Sequence, residues 1–515
     1  MKRMGFLISF LAFFVISAPV TGVSSGKEQF YLKVNSLIEA WDIASAGDML
    51  KKDPDKDELR HLYLLGKIKF FSGEYTKAVE LFNRSGVSDE DLFFKLARSS
   101  KKFTKNFKEL KVANFAVRVH PGKDEILVPY LLSALESIMR AVYEDLDYLP
   151  SEPVIVEVYS DLDAFSSVTP LSADSINKTG TVAICLYNRI ILSSPRLYLR
   201  GYRWLDTVAH EYIHYALARL SGNNVPLWLQ EGVAKYEESR WRSGKGGEME
   251  SSIKSVLRDS LASGDIVTLE EMGTSFAKLR SARRAALAFA ETASMIDYII
   301  SIGGLDMLKR VINFFSEEMN EDEVFRRVLN SDRKAFFASW QDHAKKIVKD
   351  ASSGMNIFHP LLKKDGEKED LNPEDVPVEK ARDYLTLGDL LFARGRLDAA
   401  IAEYRKSNMV VSDSPYVLNK LALALIMKKN YREALGYLQK SRELYPGFAP
   451  TMVHLSRVYL GLGDDSNLLQ ALLEANAINP FDPYVHNQLY LLYKRTGDEP
   501  RVQIETRALE LLKME

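Results

Sequence analysis

Trp204-Leu-Asp-Thr-Val-Ala-His210-Glu211-Tyr-Ile-His214-Tyr-Ala-Leu-Ala-Arg219-Leu220 is the stretch that decides how this chain is read. It contains the pattern HExxH. On a helix, residues i and i+4 share a face, so His210 and His214 can aim imidazole nitrogens at one ion. That pair suits Zn²⁺, and Glu211 beside it could take a proton from a water on the metal. Leu205, Val208, Ala209, Tyr212, Ile213, Ala216 and Leu220 give the segment an apolar face. Ser221-Gly222-Asn223-Asn224 ends the helix.

An isolated HExxH in a long chain is commonly accidental. The second element is Val225-Pro226-Leu227-Trp228-Leu229-Gln230-Glu231-Gly232-Val233-Ala234-Lys235-Tyr236. Pro226 fits the first turn of a new helix. Glu231 on that helix completes a two-His, one-carboxylate set that leaves a fourth tetrahedral position open, the catalytic arrangement of zinc. The plainer reading makes Glu231 a solvated surface residue. Its neighbours Trp228, Leu229, Val233 and Ala234 weigh against that.

HEYIH followed by PLWLQEGVAKYEE resembles the gluzincin metallopeptidases of the peptidase MA group, from about Asn106 to Asp350. The resemblance implies one zinc ion held by His210, His214 and Glu231, with Glu211 as general base. It also implies an edge strand upstream that holds an extended peptide by main-chain pairing. The apolar runs Thr179–Cys185 and Asn188–Ser193 around Leu186-Tyr187-Asn188 fit such strands. One position departs from the pattern. Phe289 stands where the family usually carries an oxyanion-stabilising Tyr. Tyr298, Tyr236, Arg280, Arg283 and Arg284 are alternatives, none of them singled out. If Glu231 is not a ligand, Glu237 and Glu238 come next.

At 515 residues with 46% hydrophobic content, two to four ordered domains are expected. A net charge of −2 without basic blocks excludes a nucleic-acid partner. A single cysteine, Cys185, excludes a disulfide framework, and its apolar surroundings read as those of a buried, inert thiol. Met1-Lys2-Arg3-Met4 followed by an apolar run from Gly5 to Pro19 reads as a secretory signal, with a retained anchor as the alternative. No further integral membrane segment is expected. The chain is read as exported, periplasmic or extracellular, from a bacterium.

A period of 34 residues organises the C-terminal part: Gly388, Ala422, Ser456 and Tyr490 fall in register, as do Leu387, Leu421, Leu455 and Leu489. The small-residue slot reads Ala400, Ala434, Leu468 and Val502. This resembles tetratricopeptide repeats, and a shorter similar unit lies around Leu62–Phe82. The expected fold class is an α+β metallopeptidase domain, a small sheet plus a helical subdomain, flanked by all-α repeat solenoids. The expected division is a signal segment (1–25), N-terminal repeats (27–100), the zinc domain (105–352), a charged linker (353–380) and a C-terminal array (381–515). Strands are expected at Leu110–His120 and Val154–Tyr159, with a helix at Glu125–Asp147 between them.

The expected function is an exported zinc peptidase acting on a peptide or protein, with the repeats binding a protein partner. The alternative is a repeat scaffold carrying a degenerate metallopeptidase domain. The signal reading has a direct check. N-terminal sequencing of the protein from its native compartment should start between about Pro19 and Lys27, and an intact Met1 on a soluble cytoplasmic form would reject it.

Overall fold

The computed structural model describes residues 26–514, apart from 113, 274–275, 277–278, 317–319, 356–361, 364–375, 377 and the side chains of 177–179. The signal segment and most of the charged stretch between the central part and the C-terminal array lie outside these residues. The described chain is mostly helical, with one small mixed sheet.

The sheet has five strands: β1 Lys108–Val112, β2 Phe115–Val119, β3 Val154–Tyr159, β4 Ala183–Leu186 and β5 Arg189–Ser193. Their spatial order is β1-β2-β3-β5-β4. The run expected as one strand, Leu110–His120, is an antiparallel hairpin instead. Its centre carries Asn114, a residue that favours turns. The parallel pairing of β2 with β3 needs a crossover, supplied by the helix Leu127–Leu146. The first of the two apolar runs upstream of the helix Trp204–Ser221 is shorter than expected. A helical turn, Ala173–Thr179, takes up its start, and Gly180 ends that turn at φ 68°.

Between β4 and β5 only Tyr187 and Asn188 intervene, at φ 53° and 65°. Two left-handed residues between antiparallel strands make the mirror-image turn that suits the strands' twist. Tyr187 is an unusual residue there. Its ring is held by Phe70, Phe71 and Phe93, with centroids 5.7, 5.4 and 5.4 Å away. Those rings belong to the N-terminal helices, so the turn is fixed by packing from outside the sheet.

A charged network beneath the turn makes the same connection. Glu157 on β3 and Arg189 on β5 are both fully buried and pair at 3.0 Å. Glu157 also accepts from Arg118 on β2 at 3.1 Å and from the Tyr75 hydroxyl. Arg189 donates to the Tyr75 hydroxyl at 2.7 Å, to Ser100 Oγ at 3.2 Å and to the Val168 carbonyl at 3.2 Å. Tyr75 and Ser100 lie on the N-terminal helices Tyr75–Arg84 and Leu92–Thr104. One continuous hydrophobic core accordingly runs from Tyr31 to Val348, through the N-terminal helices, the sheet and the central helices.

Among the described residues, two helices, Lys123–Leu146 and Ala282–Ser316, are apolar enough by length and composition to cross a bilayer, which departs from the expectation of no further such segment. Half or more of each apolar window is buried inside the fold, at 50% and 61%. The longer one bends at Gly304, whose φ is 68°.

Eight helices between Glu379 and Leu512 form four consecutive hairpins with a core of their own. The repeat register has a steric basis: a Cβ at Gly388 would lie 2.4 Å from the Tyr404 ring, and Ala400 and Ala434 are fully buried. The array docks on the segment leading into the helix Trp204–Ser221. Tyr202 N–H donates to the Ile478 carbonyl at 3.0 Å, and Arg203 donates to the Pro446 carbonyl at 2.9 Å. The indole of the fully buried Trp204 donates to the Asn476 carbonyl at 3.4 Å. Within the stretch read as a charged linker, 353–380, Met355 and Val376 are buried and Leu362 bridges to Tyr198.

Removing one partner of a buried ion pair strands the other charge. Arg189→Met should cost about 3–5 kcal/mol in chemical denaturation. The double variant Glu157→Leu/Arg189→Met should be less damaged than the single. A single variant with wild-type stability would show that the network is dispensable.

Candidate metal site

The helix Trp204–Ser221 ends at Gly222, in the left-handed conformation at φ 62°. It packs between the sheet and the long helix Ala282–Ser316, with Tyr212, Ile213 and Ala216 almost fully buried. His210 and His214 lie one turn apart on its more open face. The second element begins one residue later than its proline: Pro226 caps the helix Leu227–Glu237. Gly232 sets how closely that helix approaches the long one. A Cβ there would lie 2.8 Å from the Thr292 carbonyl oxygen, so any side chain forces the two helices apart. Trp228 anchors the same helix by donating to Glu321 at 3.0 Å.

This packing brings Glu231 onto the histidine pair. His210 Nε2 and His214 Nε2 are 3.2 Å apart. Glu231 Oε2 is 3.4 Å from each of them. Corners of a tetrahedron about 2.0–2.1 Å from its centre are separated by about 3.3 Å, so the triangle fits three zinc ligands with a fourth position open. Among the described residues, this is the one group of three or more His, Cys, Asp or Glu that could hold a metal ion.

The electrostatics favour a cation. Burial alone would lower the His210 pKa, but its hydrogen bonds to Glu231 and Glu238 outweigh burial and hold it up at about 10. Burial alone would raise the Glu231 carboxyl, but the imidazoles of His214 and His210 hold it well below the usual carboxylate range. With no metal present, the carboxylates retain a proton on His210; a dication would take that proton's place.

Glu211 is not one of the three converging donors. It is buried, and its carboxylate accepts a hydrogen bond from the backbone N–H of Cys185 on β4. Burial raises its pKa, partly offset by His214 and His210. β4 is an edge strand. Val182 and Ile184 turn toward β5, as shown by the bond from Ser193 N–H to the Val182 carbonyl at 2.9 Å. Ala183 and Cys185 therefore present their backbone groups at the free edge, beside Glu211. Cys185 is half-buried, and burial, with Glu211 nearby, raises its thiol pKa well above the ordinary value.

Phe289 does sit at the site, its ring centroid 6.3 Å from that of His210 and packed edge-on against Phe276 at 4.9 Å. The other oxyanion candidates are engaged elsewhere. Tyr298 packs on Phe336 and His343, and the ring of Tyr236 lies against Gly246 and Gly247. Arg280, Arg283 and Arg284 pair with Asp265, Asp259 and Glu271.

Glu238 has a role that the sequence reading gave only as a fallback ligand. Its Oε2 lies 3.2 Å from His210 Nδ1, the nitrogen facing away from the triangle. Burial would raise its carboxyl, but Lys235, at 2.5 Å, and then His210 bring it down to about 2. An ionised carboxylate there fixes the tautomer that turns Nε2 toward a metal. Glu231 and Glu238 are one heptad apart, and that spacing was the available signal. Glu237 faces elsewhere, toward Asp145, and its carboxyl is raised to about 8, chiefly by burial.

Comparison with known proteins gives one sequence match. A profile of the Peptidase MA superfamily matches residues 134–346. No curated protein matches the sequence. Among solved structures, yeast leukotriene A4 hydrolase (Saccharomyces cerevisiae) aligns at 11% identity over 79% of this chain and 67% of that one, with a TM-score of 0.33. MamA from Desulfovibrio magneticus RS-1 aligns at 20% identity over 28% of this chain and 77% of its own, with a TM-score of 0.24. The Cut9–Hcn1 assembly of the APC/C aligns at 13% identity over 95% of this chain and 80% of that one, with a TM-score of 0.27. Superpositions this loose add nothing to the assignment of the site.

Outer carboxylates that orient a ligating histidine typically carry 10–100-fold in metal affinity. Glu238→Gln should weaken zinc binding by about that factor in competition with a chromophoric chelator, while the zinc-to-protein ratio at saturation stays at one. Unchanged affinity would mean that Glu238 only partners Lys235.

Proposed function

We propose that the protein is a zinc-dependent peptidase, with His210, His214 and Glu231 holding the metal and Glu211 serving as general base. The observation that carries this reading is the convergence of two imidazole nitrogens and one carboxylate oxygen, each 3.2–3.4 Å from the others, with a buried carboxylate beside them. The match to the Peptidase MA superfamily supports it.

Bound zinc would supply Lewis acidity toward a peptide carbonyl and toward water. The remaining work falls to the chain. Glu238 orients His210, and the helix packing at Gly232 holds Glu231 in place. The free edge of β4 offers the Ala183 N–H and carbonyl to an extended peptide, which sets the scissile bond against the site. Glu211, its pKa raised by burial, takes the proton of the attacking water and passes it to the leaving amine. The lysine-arginine start and apolar run support export of this activity from the cytoplasm. The C-terminal hairpins support binding of a protein partner through the surface left uncovered by the central part.

A second reading, a repeat scaffold with a degenerate enzyme domain, is favoured by one observation. Phe289 supplies no hydroxyl where a family tyrosine would stand. The two readings separate on Glu211→Gln. As a peptidase, the variant should keep a full complement of zinc and lose about 10²–10⁴-fold in turnover on a peptide library. Wild-type turnover in Glu211→Gln would remove the mechanism. A wild-type protein that binds zinc and cleaves nothing would favour the scaffold.

A further inference from the structure

Beside the candidate metal site lies a cleft of about 300 Å³, at the lower end of the range for ligand pockets. It opens next to the site itself. Thr207, one turn before His210 and on the same face of its helix, lines it, as does Glu238, the carboxylate behind His210. Its far wall is not part of the central fold. Tyr416, Tyr445 and Phe448, from the C-terminal hairpins, close that side. Arg200 lies over two of the rings, 5.1 Å from the Tyr416 centroid and 5.7 Å from that of Phe448, and Tyr416 and Phe448 meet edge to face at 5.2 Å.

We propose that this cleft is a specificity pocket of the peptidase, in which the C-terminal array supplies the wall that receives a large apolar side chain of the substrate next to the scissile bond. The inference rests on the peptidase reading above and names the substrate class of that same site.

The chemistry of the walls selects the side chain. The carboxylates around the cleft are already paired, and Arg200 is spent on the aromatic rings. Lys235 holds Glu238 at 2.5 Å, Arg203 reaches Asp206 at 3.4 Å and Glu250 at 3.9 Å, and Asp206 also holds Arg242 at 2.8 Å. A charged substrate side chain entering there would lose its hydration, and a basic one would meet no unpaired carboxylate. An aliphatic or aromatic one would be buried against Tyr416, Phe448 and Ile253. The pocket also has a fixed shape, because the backbone on both sides is tied together. Arg203 is bonded to the Pro446 carbonyl and Tyr202 to Ile478, across the base of the cleft.

The test uses the full-length zinc protein and a peptide library varied one position at a time on either side of the scissile bond. At one position the wild type should prefer Phe or Leu over Gly, Asp and Lys. In Phe448→Ala and Tyr416→Ala the Phe-to-Gly ratio of kcat/KM should fall by about tenfold or more, the scale of a lost apolar contact. Phe448→Leu should keep the ratio within about threefold. Zinc content and circular dichroism identify any variant that has not folded, and the opposite substitution, Phe448→Trp, then serves as the second probe. By filling the cleft it should shift the preference from Phe toward Ala or Gly.

A second readout separates this inference from the one it rests on. Binding of the same peptides to the zinc-loaded Glu211→Gln protein is followed by fluorescence anisotropy. If the wild type cleaves nothing, the peptidase reading fails, and an apolar binding preference lost in Phe448→Ala still supports the pocket. A wild type without apolar preference in either readout, or one whose preference survives both Phe448→Ala and Phe448→Trp, overturns it.

Discussion

The pairing of Glu157 with Arg189, buried with no access to water, is the constraint on which the central structure hangs. Two charges removed from solvent must satisfy each other and every remaining donor and acceptor around them. Here most of that demand is met only when β2, β3 and β5 and two N-terminal helices arrive together, because Arg118, Tyr75 and Ser100 supply partners, and Nε of Arg189 is left without one. Arg189 is the first residue of β5, directly after the tight turn. Fixing it fixes the hairpin, the hairpin fixes β4, and β4 places the N–H of Cys185 on Glu211. A structural network on one face of the sheet thus positions a candidate catalytic carboxylate at its edge. The N-terminal helices are part of this core in a way that an appended module would not be.

The donor triangle depends on a different contact. His210 and His214 belong to one helix and Glu231 to another, so their distance is a packing distance. It is set where Gly232 meets the backbone of Thr292. The glycine after the glutamate is needed for closeness, since nothing larger than hydrogen fits between its helix and the long helix Ala282–Ser316, against which the histidine helix also packs.

The parts legible in the sequence were those carried by short-range periodicity. The i, i+4 histidines, the glutamate of the following helix and the 34-residue register each follow from spacing along one or two helices. Phe289 was singled out through the resemblance, as the residue standing where the family carries a tyrosine, and its ring lies near that of His210. Glu238 was harder to read. Its role depends on which nitrogen of His210 faces outward, and that is settled only by packing between helices. Glu157 and Arg189 stand as charged residues inside apolar strand runs, but the partners of Arg189 lie 21 to 114 residues away. The split of the first strand turned on Asn114, a turn residue hidden in an apolar run. Nothing local could announce that the C-terminal hairpins would close over residues 200–204.

That closure has a consequence in time. The indole of Trp204 reaches a carbonyl 272 residues further along the chain. At synthesis rates of about 5–20 residues per second, the histidine helix emerges roughly 14–54 s before the loops that cover its first turn. Throughout that interval Trp204, fully buried in the finished protein, has no cover from those loops, and one wall of the neighbouring cleft does not yet exist. The central fold can be assembled while the site it carries is still open on one side. A polypeptide that has not yet added the C-terminal hairpins carries His210, His214 and Glu231 without the enclosure around them.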